Sequence, residues 1–278
     1  MSLLFQSISK NFPTVGGNPV TAIKAIDLSV VKSEFTVLLG PSGCGKSTLL
    51  HLAAGLDVPC TGQILFNGQP CHMPGPDRAI VFQEAALFPW LTVLENIMFA
   101  ILGVSKTVKR SRACEYLEKV HLTNFANAYP HQLSGGMKQR VSIARALATE
   151  SEVLLMDEPF AALDEQTRLE LHEELLRIWE DTGKTILFVT HNIRESLRLA
   201  DRIILLSARP AQIIREIRLD LPRPRPVASI HYVELEEEIL THLKREIFKG
   251  GHDHPYTYAV SETPVDPAPA DNDLGLRL

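Results

Sequence analysis

The chain has 278 residues, a formal net charge of −5, 45% hydrophobic and 22% charged residues, which is the composition of an ordinary globular protein rather than a disordered or fibrous one. Its longest apolar runs fall far short of the roughly 20 residues needed to cross a bilayer, and the absence of a basic excess removes the electrostatic case for a nucleic-acid partner. Four cysteines without CxxC spacing argue against a zinc ribbon or disulfide framework, and Met1–Lys10 lacks the basic start and cleavage site of a secretory signal, so a reduced cytosolic setting is expected.

Ile26, Leu28 and Val30 alternate with polar or small neighbours and predict a strand with one buried face. Phe35–Leu39 is continuously apolar and predicts a strand buried on both faces. The next residues, Gly40-Pro41-Ser42-Gly43-Cys44-Gly45-Lys46-Ser47, fit G-x-x-x-x-G-K-[S/T], and a helical pattern over Ser47–Ala54 follows, stopped by Gly55. Glycines let successive backbone N–H groups converge on phosphate oxygens, and the helix start adds partial positive charge. Lys46 then bridges β- and γ-phosphates and Ser47 ligates Mg²⁺. Cys44 is expected to be a small filler rather than a reactive thiol.

Ala79–Phe82 resembles the buried runs and predicts another strand, after which roughly Leu94–Ala148 carries helical signals and no strand candidate. Within it, Leu133-Ser134-Gly135-Gly136-Met137-Lys138-Gln139-Arg140 places Ser134 as an N-cap before the pattern Val141, Ala144, Arg145, Ala148. Two glycines in a first helical turn cost stability. They are expected to give a phosphate close access to the helix end, and a phosphate loop already exists in this chain, so the phosphate belongs to a second copy. Val153–Met156 ends in Asp157-Glu158, which delivers Asp157 to a Mg²⁺ shell at the carboxyl edge of a parallel sheet and lets Glu158 polarise the attacking water.

Leu171, Leu175 and Ile178 predict a helix closed by Gly183, followed by strands at Thr185–Val189 and Ile203–Leu206. Strands alternating with helices imply a mainly parallel α/β sheet. Leu221-Pro222-Arg223-Pro224-Arg225-Pro226 excludes helix and central strand. Leu235, Ile239, Leu243 and Ile247 predict an amphipathic helix stopped by Gly250-Gly251, and a proline- and acid-rich tail follows. Its His252-Asp253-His254 cluster reads as solvated tail rather than a metal site.

In these motifs the chain resembles the ATPase subunit of an ATP-binding cassette (ABC) transporter, from about Leu3 to Pro226. The family's motifs stand in order: the phosphate loop at Gly40–Ser47, the Q-loop Gln83, the signature Leu133–Met137, the pair Asp157-Glu158, the D-loop Ala162-Leu163-Asp164 and the switch histidine His191. The resemblance implies a P-loop NTPase fold with a RecA-like core sheet, a small antiparallel β subdomain and a helical subdomain at about 87–148. The ATPase domain then spans 1–230, with an amphipathic helix at 231–250 and a tail at 251–278.

The resemblance also implies the site. Gly40–Thr48 and Gln83 hold ATP; Ser47, Gln83 and Asp157 hold Mg²⁺. Glu158 is the base, His191 contacts the γ-phosphate, and Ser134 and Gly136 complete the site from the opposite cassette. Phe12 stands where the family usually has an adenine-stacking tyrosine, and Ser33 where it commonly has glycine. Pro74–Arg78, Val81–Glu84, Leu87–Trp90, Leu206–Pro210 and Leu221–Arg225 resemble the nitrate/sulfonate/taurine import branch. Implied partners are a second cassette, transmembrane permease subunits and an extracytoplasmic solute-binding protein, with the chain on the cytoplasmic membrane face. Leu87-Phe88-Pro89-Trp90 is expected to receive a permease helix, the alternative being that it packs into its own core. The rival class, a soluble ABC ATPase acting on nucleic acid or ribosomes, usually carries paired cassettes or a long coiled-coil insertion, and neither stands here.

Overall fold

Four of the five residues Phe35–Leu39 are apolar, and in the computed structural model all five are buried, Thr36 with its hydroxyl donating to Glu34 Oε2 at 2.9 Å. The structure describes residues 2–14, 17–225 and 229–249. This strand, β3, follows β1 (Leu3–Phe12) and β2 (Val20–Val30) and is hydrogen-bonded on both edges. Its neighbours are β8 (Thr185–Thr190) and β9 (Arg202–Leu206), both parallel to it, with Val37 opposite Phe188 and Ile203. The six-stranded sheet is completed by β6 (Arg78–Val81), β7 (Val153–Asp157) and β10 (Ile213–Arg218), in the order β10-β9-β3-β8-β7-β6. Only β10 runs antiparallel.

Alternate residues of β3 face two cores. Phe35, Val37 and Leu39 pack on the face that holds α4 (Gly135–Leu147), α5 (Glu165–Thr182) and α6 (Ile193–Leu199); Leu38 faces α1 (Lys46–Ala54) and the second sheet. That second sheet is antiparallel, β2-β1-β4-β5, with β4 at Thr61–Phe66 and β5 at Gln69–Pro70. Between β6 and β7 lie α2 (Val93–Ala100), α3 (Lys106–Lys119) and α4, with two single 3₁₀ turns and no strand.

One expectation is corrected. Ala79–Phe82 was grouped with the buried strands, but β6 is a sheet edge and only Val81 is fully buried. Strand β1 escapes the alternation test because it changes face midway. Leu3 and Phe5 point inward, then Ile8 and Lys10, with Ser7 at φ 50° and a register shift against both neighbours. A bulge of one residue reverses the side-chain parity.

Helix α5 runs from an Asp164 cap, whose Oδ1 accepts from Thr167 N–H, to Gly183 at φ 61°, and it buries Leu171, Leu175 and Ile178. Helix α7 (Ile230–Lys249) buries Tyr232, Ile239 and Leu243, with Leu235 partly covered. Gly250-Gly251, the tail and the His252–His254 cluster lie outside the described residues. Residues 221–225 form neither helix nor strand. Their arginines are anchors. Arg225 is buried and donates to the carbonyls of Leu197 (2.8 Å), Leu221 (3.2 Å), Arg198 (3.3 Å) and Leu219 (3.4 Å). Arg223 donates to Leu199 O at 2.6 Å, pairs with Asp201 and lies over the Trp179 ring. Together they satisfy the C-terminal carbonyls of α6 that an isolated helix leaves unpaired. Among the described residues no helix is long and apolar enough to cross a membrane.

Candidate nucleotide-binding site

The loop between β3 and α1 curls because Gly43 and Gly45 take φ of 72° and 121°. A Cβ on Gly45 would stand 2.9 Å from the Ala22 carbonyl oxygen, so the close approach of β2 needs glycine there. Helix α1 begins at Lys46, with Ser47 and Thr48 in its first turn. Lys46 is 4% exposed, and its ammonium donates to the carbonyls of Gly40 and Pro41, both at 2.9 Å. The lysine is thus folded over the interior of its own loop. Cys44 is buried, and that burial pushes its thiol pKa up, so it is the inert filler expected of it.

Strands β7 and β8, together with the start of α1, bring four groups to the carboxyl ends of the strands. Ser47 Oγ donates to Asp157 Oδ1 at 3.0 Å. Asp157 is buried, and desolvation raises its pKa against the opposing Ser47 hydrogen bond. One residue on, Glu158 Oε2 meets His191 Nδ1 at 2.9 Å. Burial alone would raise the Glu158 carboxyl pKa, but the His191 hydrogen bond and charge, with Lys46, hold it below its ordinary value. The same bond raises His191. Glu158 also sits at φ 42°, rare for a residue with a side chain, with its N–H held by Val189 O at 3.0 Å. The oxygen donors of Ser47 and Asp157 are of the kind that suits Mg²⁺. Among the described residues no cluster of three His, Cys, Asp or Glu side chains offers a competing metal position.

Other expected residues stand apart within the chain. Gln83 lies just beyond β6 and is exposed; its neighbour Phe82 is held through its carbonyl by buried Gln139 at 2.9 Å. Phe12 ends β1, half exposed beneath the Lys10 ammonium, 5.3 Å from its ring centre. The signature opens α4, with Ser134 Oγ accepting from Met137 N–H at 3.3 Å. Among the described residues no hydrogen bond joins Leu133–Met137 to Gly40–Thr48. The two glycines differ. A Cβ on Gly135 would meet nothing within 4 Å, so that face is open as expected, whereas one on Gly136 would press 3.0 Å from Leu163 Cδ2. Gly136 is therefore small because Leu163 packs against it.

Phe88, Trp90 and Phe99 form an aromatic cluster, with centroids 5.6 and 4.7 Å from Phe88, and Arg145 lies over the Phe88 face. Trp90 is 70% exposed and Phe99 59%. The loop under them is held by fully buried Asn96, whose side chain bonds the backbone of Phe88, Leu91 and Thr92. Asn96 and Gln139 were not found from sequence; a single amide inside an amphipathic helix carries no spacing signal.

A parallel sheet whose central strand feeds a glycine loop and helix, with carboxylates at the neighbouring strand end, defines a P-loop nucleotide hydrolase. The ABC transporter family pattern matches residues 23–161. An uncharacterized ABC transporter ATP-binding protein of Methanocaldococcus jannaschii is 47% identical over 251 residues, covering 90% of this chain and 94% of that protein. The nitrate import ATP-binding protein NrtD of Synechococcus elongatus is 46% identical, covering 87% and 92%. The bicarbonate transport ATP-binding protein CmpC of the same species is also 46% identical, over 87% of this chain and 38% of its own length. The dimeric, post-hydrolysis structure of the cassette MJ0796 bound to ADP and Pi superposes with a TM-score of 0.72 at 34% identity, covering 79% of this chain and all of that one. The chain belongs to the ABC transporter family as its ATP-binding cassette, and it is an ATPase of the transport-coupled kind.

Proposed function

We propose that this cassette is the ATP-hydrolysing subunit of an importer for a small anion or sulfonate-like solute of the nitrate, alkanesulfonate or taurine type. The observation that carries the catalytic part is the Glu158–His191 bond beside the Ser47–Asp157 bond at the carboxyl ends of the strands. The anion class is supported by relatives named for nitrate and bicarbonate transport and by the branch-specific segments around Leu87–Trp90 and Leu206–Pro210.

In this reading the adenine stacks on Phe12, which needs only a π face, and the phosphates lie over Gly40, Pro41, Ser42, Gly43, Cys44, Gly45, Lys46, Ser47 and Thr48. Their arrival draws Lys46 off the Gly40 and Pro41 carbonyls toward the β- and γ-oxygens. Ser47, Asp157 and Gln83 are the groups that would hold Mg²⁺, whose charge, when bound, offsets that of the phosphates. Glu158, kept ionised by His191, orients the attacking water and accepts its proton. With Nδ1 committed to Glu158, His191 has Nε2 for the γ-phosphate. Ser134 and the open Gly135 face meet the γ-phosphate of a second cassette, which explains why they touch no phosphate loop of their own chain, and Asp164 lies at the same junction. The dimeric ADP-bound cassette structure supports that arrangement.

The ATPase drives transport through permease subunits, and an importer also needs a solute-binding protein. The exposed Phe88–Trp90–Phe99 cluster is the surface on which a permease helix would seat. Copurification tests the reading: the full-length chain should bring down a polytopic membrane protein, and the system's solute-binding protein should rise in melting temperature with nitrate, a sulfonate or taurine. Recovery of RNA in place of a membrane partner would refute it.

A further inference from the structure

The segment after β9, Ser207–Gln212, has no part in the chemistry described above, yet it is tightly built against the phosphate loop. Ser207 Oγ bonds the carbonyls of Ala208 and Pro210 at 2.9 Å and the N–H of Gln212 at 3.0 Å. Ala211 exchanges backbone bonds with β2, its N–H to Ala22 O at 2.8 Å and its carbonyl from Lys24 N–H at 3.0 Å. From this fixed base Arg209 reaches the loop. Its Nη2 and Nε donate to one acceptor, the Gly43 carbonyl oxygen, at 2.8 and 3.2 Å.

That carbonyl shares a peptide unit with the Cys44 N–H. In a trans peptide the two point in opposite directions, so an arginine outside the loop that holds the oxygen also aims the N–H inward. The structure shows the result: Cys44 N–H is directed at Pro41 O, 3.3 Å away, the oxygen that also receives the Lys46 ammonium. The guanidinium therefore fixes one donor of the cradle where the phosphates arrive, and a charged donor on the carbonyl polarises that N–H further.

We propose that Arg209 is a positioning residue for nucleotide phosphate, acting through the Gly43–Cys44 peptide. It rests on Gly40–Ser47 being the phosphate loop. The test is calorimetric titration of the full-length chain with MgADP, alongside its melting temperature without nucleotide. Arg209→Ala should weaken MgADP about tenfold and raise KM for ATP more steeply than it lowers kcat, and Arg209→Lys, which keeps one donor, should recover part of the loss. Affinity within twofold of wild type in Arg209→Ala would overturn the proposal, whether or not the protein melts earlier. So would an Arg209→Lys no better than alanine. Lys46→Ala runs in parallel: if it too binds MgADP normally, the phosphate-loop reading has failed, whereas its loss beside an unaffected Arg209→Ala refutes only the role of Arg209.

Discussion

Replacing Arg225 with alanine removes the donor to four carbonyl oxygens at once, and two of those bonds, to Leu197 and Leu219, are buried. Burial lowers the Arg225 pKa to about 10, which leaves the group fully protonated at neutral pH, so all four bonds are charge-assisted. A buried acceptor that loses its partner costs about 1–3 kcal/mol. Two such carbonyls give ~2–6 kcal/mol, and water entering the vacated space returns some of it. We expect about 3 kcal/mol, which at roughly 2–4 °C per kcal/mol lowers the melting temperature by roughly 6–12 °C. Urea denaturation should show a lower midpoint at unchanged slope. Because α6 starts immediately after His191 and Asn192, ATPase activity should fall below what the folded fraction accounts for. A melting point within about 2 °C of wild type would show that the α6 carbonyls do not depend on Arg225.

Three further substitutions test the site. Glu158→Gln should retain ATP binding, lose turnover by at least about 100-fold, consistent with loss of a general base, and accumulate as a dimer with MgATP on size exclusion; wild-type rates would exclude Glu158 as the base. Ser134→Arg should abolish hydrolysis yet leave ATP affinity of the monomer within about twofold, because Ser134 touches no phosphate loop of its own chain; a loss as deep as that of Lys46→Ala would place the signature in the same-chain site. Trp90→Ala should weaken permease copurification by a few kcal/mol, in the hot-spot range, with little change in melting, since 70% of Trp90 is exposed; a melting loss of the size of a buried-Trp truncation, roughly 3–5 kcal/mol, would return Trp90 to the core.

The centre of the parallel core was legible because its strands are short, predominantly apolar runs and its helices announce their ends. Ser134 and Gly183 both cap where their residue types predict. The phosphate loop was legible because its chemistry demands specific residues at fixed spacing. What stayed hidden was whatever depends on distant partners. Strand β1 was lost to a bulge, β4 and β5 to short, mostly exposed segments, and the anchoring by the arginines of 221–225 had no local signal because α6 supplies their acceptors. The Glu158–His191 bond joins positions 33 residues apart, and nothing in either local pattern foretells it.

His172 and Glu195 are both almost fully buried and meet at 2.9 Å between α5 and α6, with the His172 ring set edge-on against Phe160 at 4.8 Å. One helix begins at Asp164, the other at Asn192 beside His191. Sliding either past the other would strand a buried carboxyl group opposite aromatic carbon, at a cost comparable to breaking any desolvated polar pair. The helix that follows Asp164 and the helix that follows His191 are therefore held in one register by a single buried polar pair.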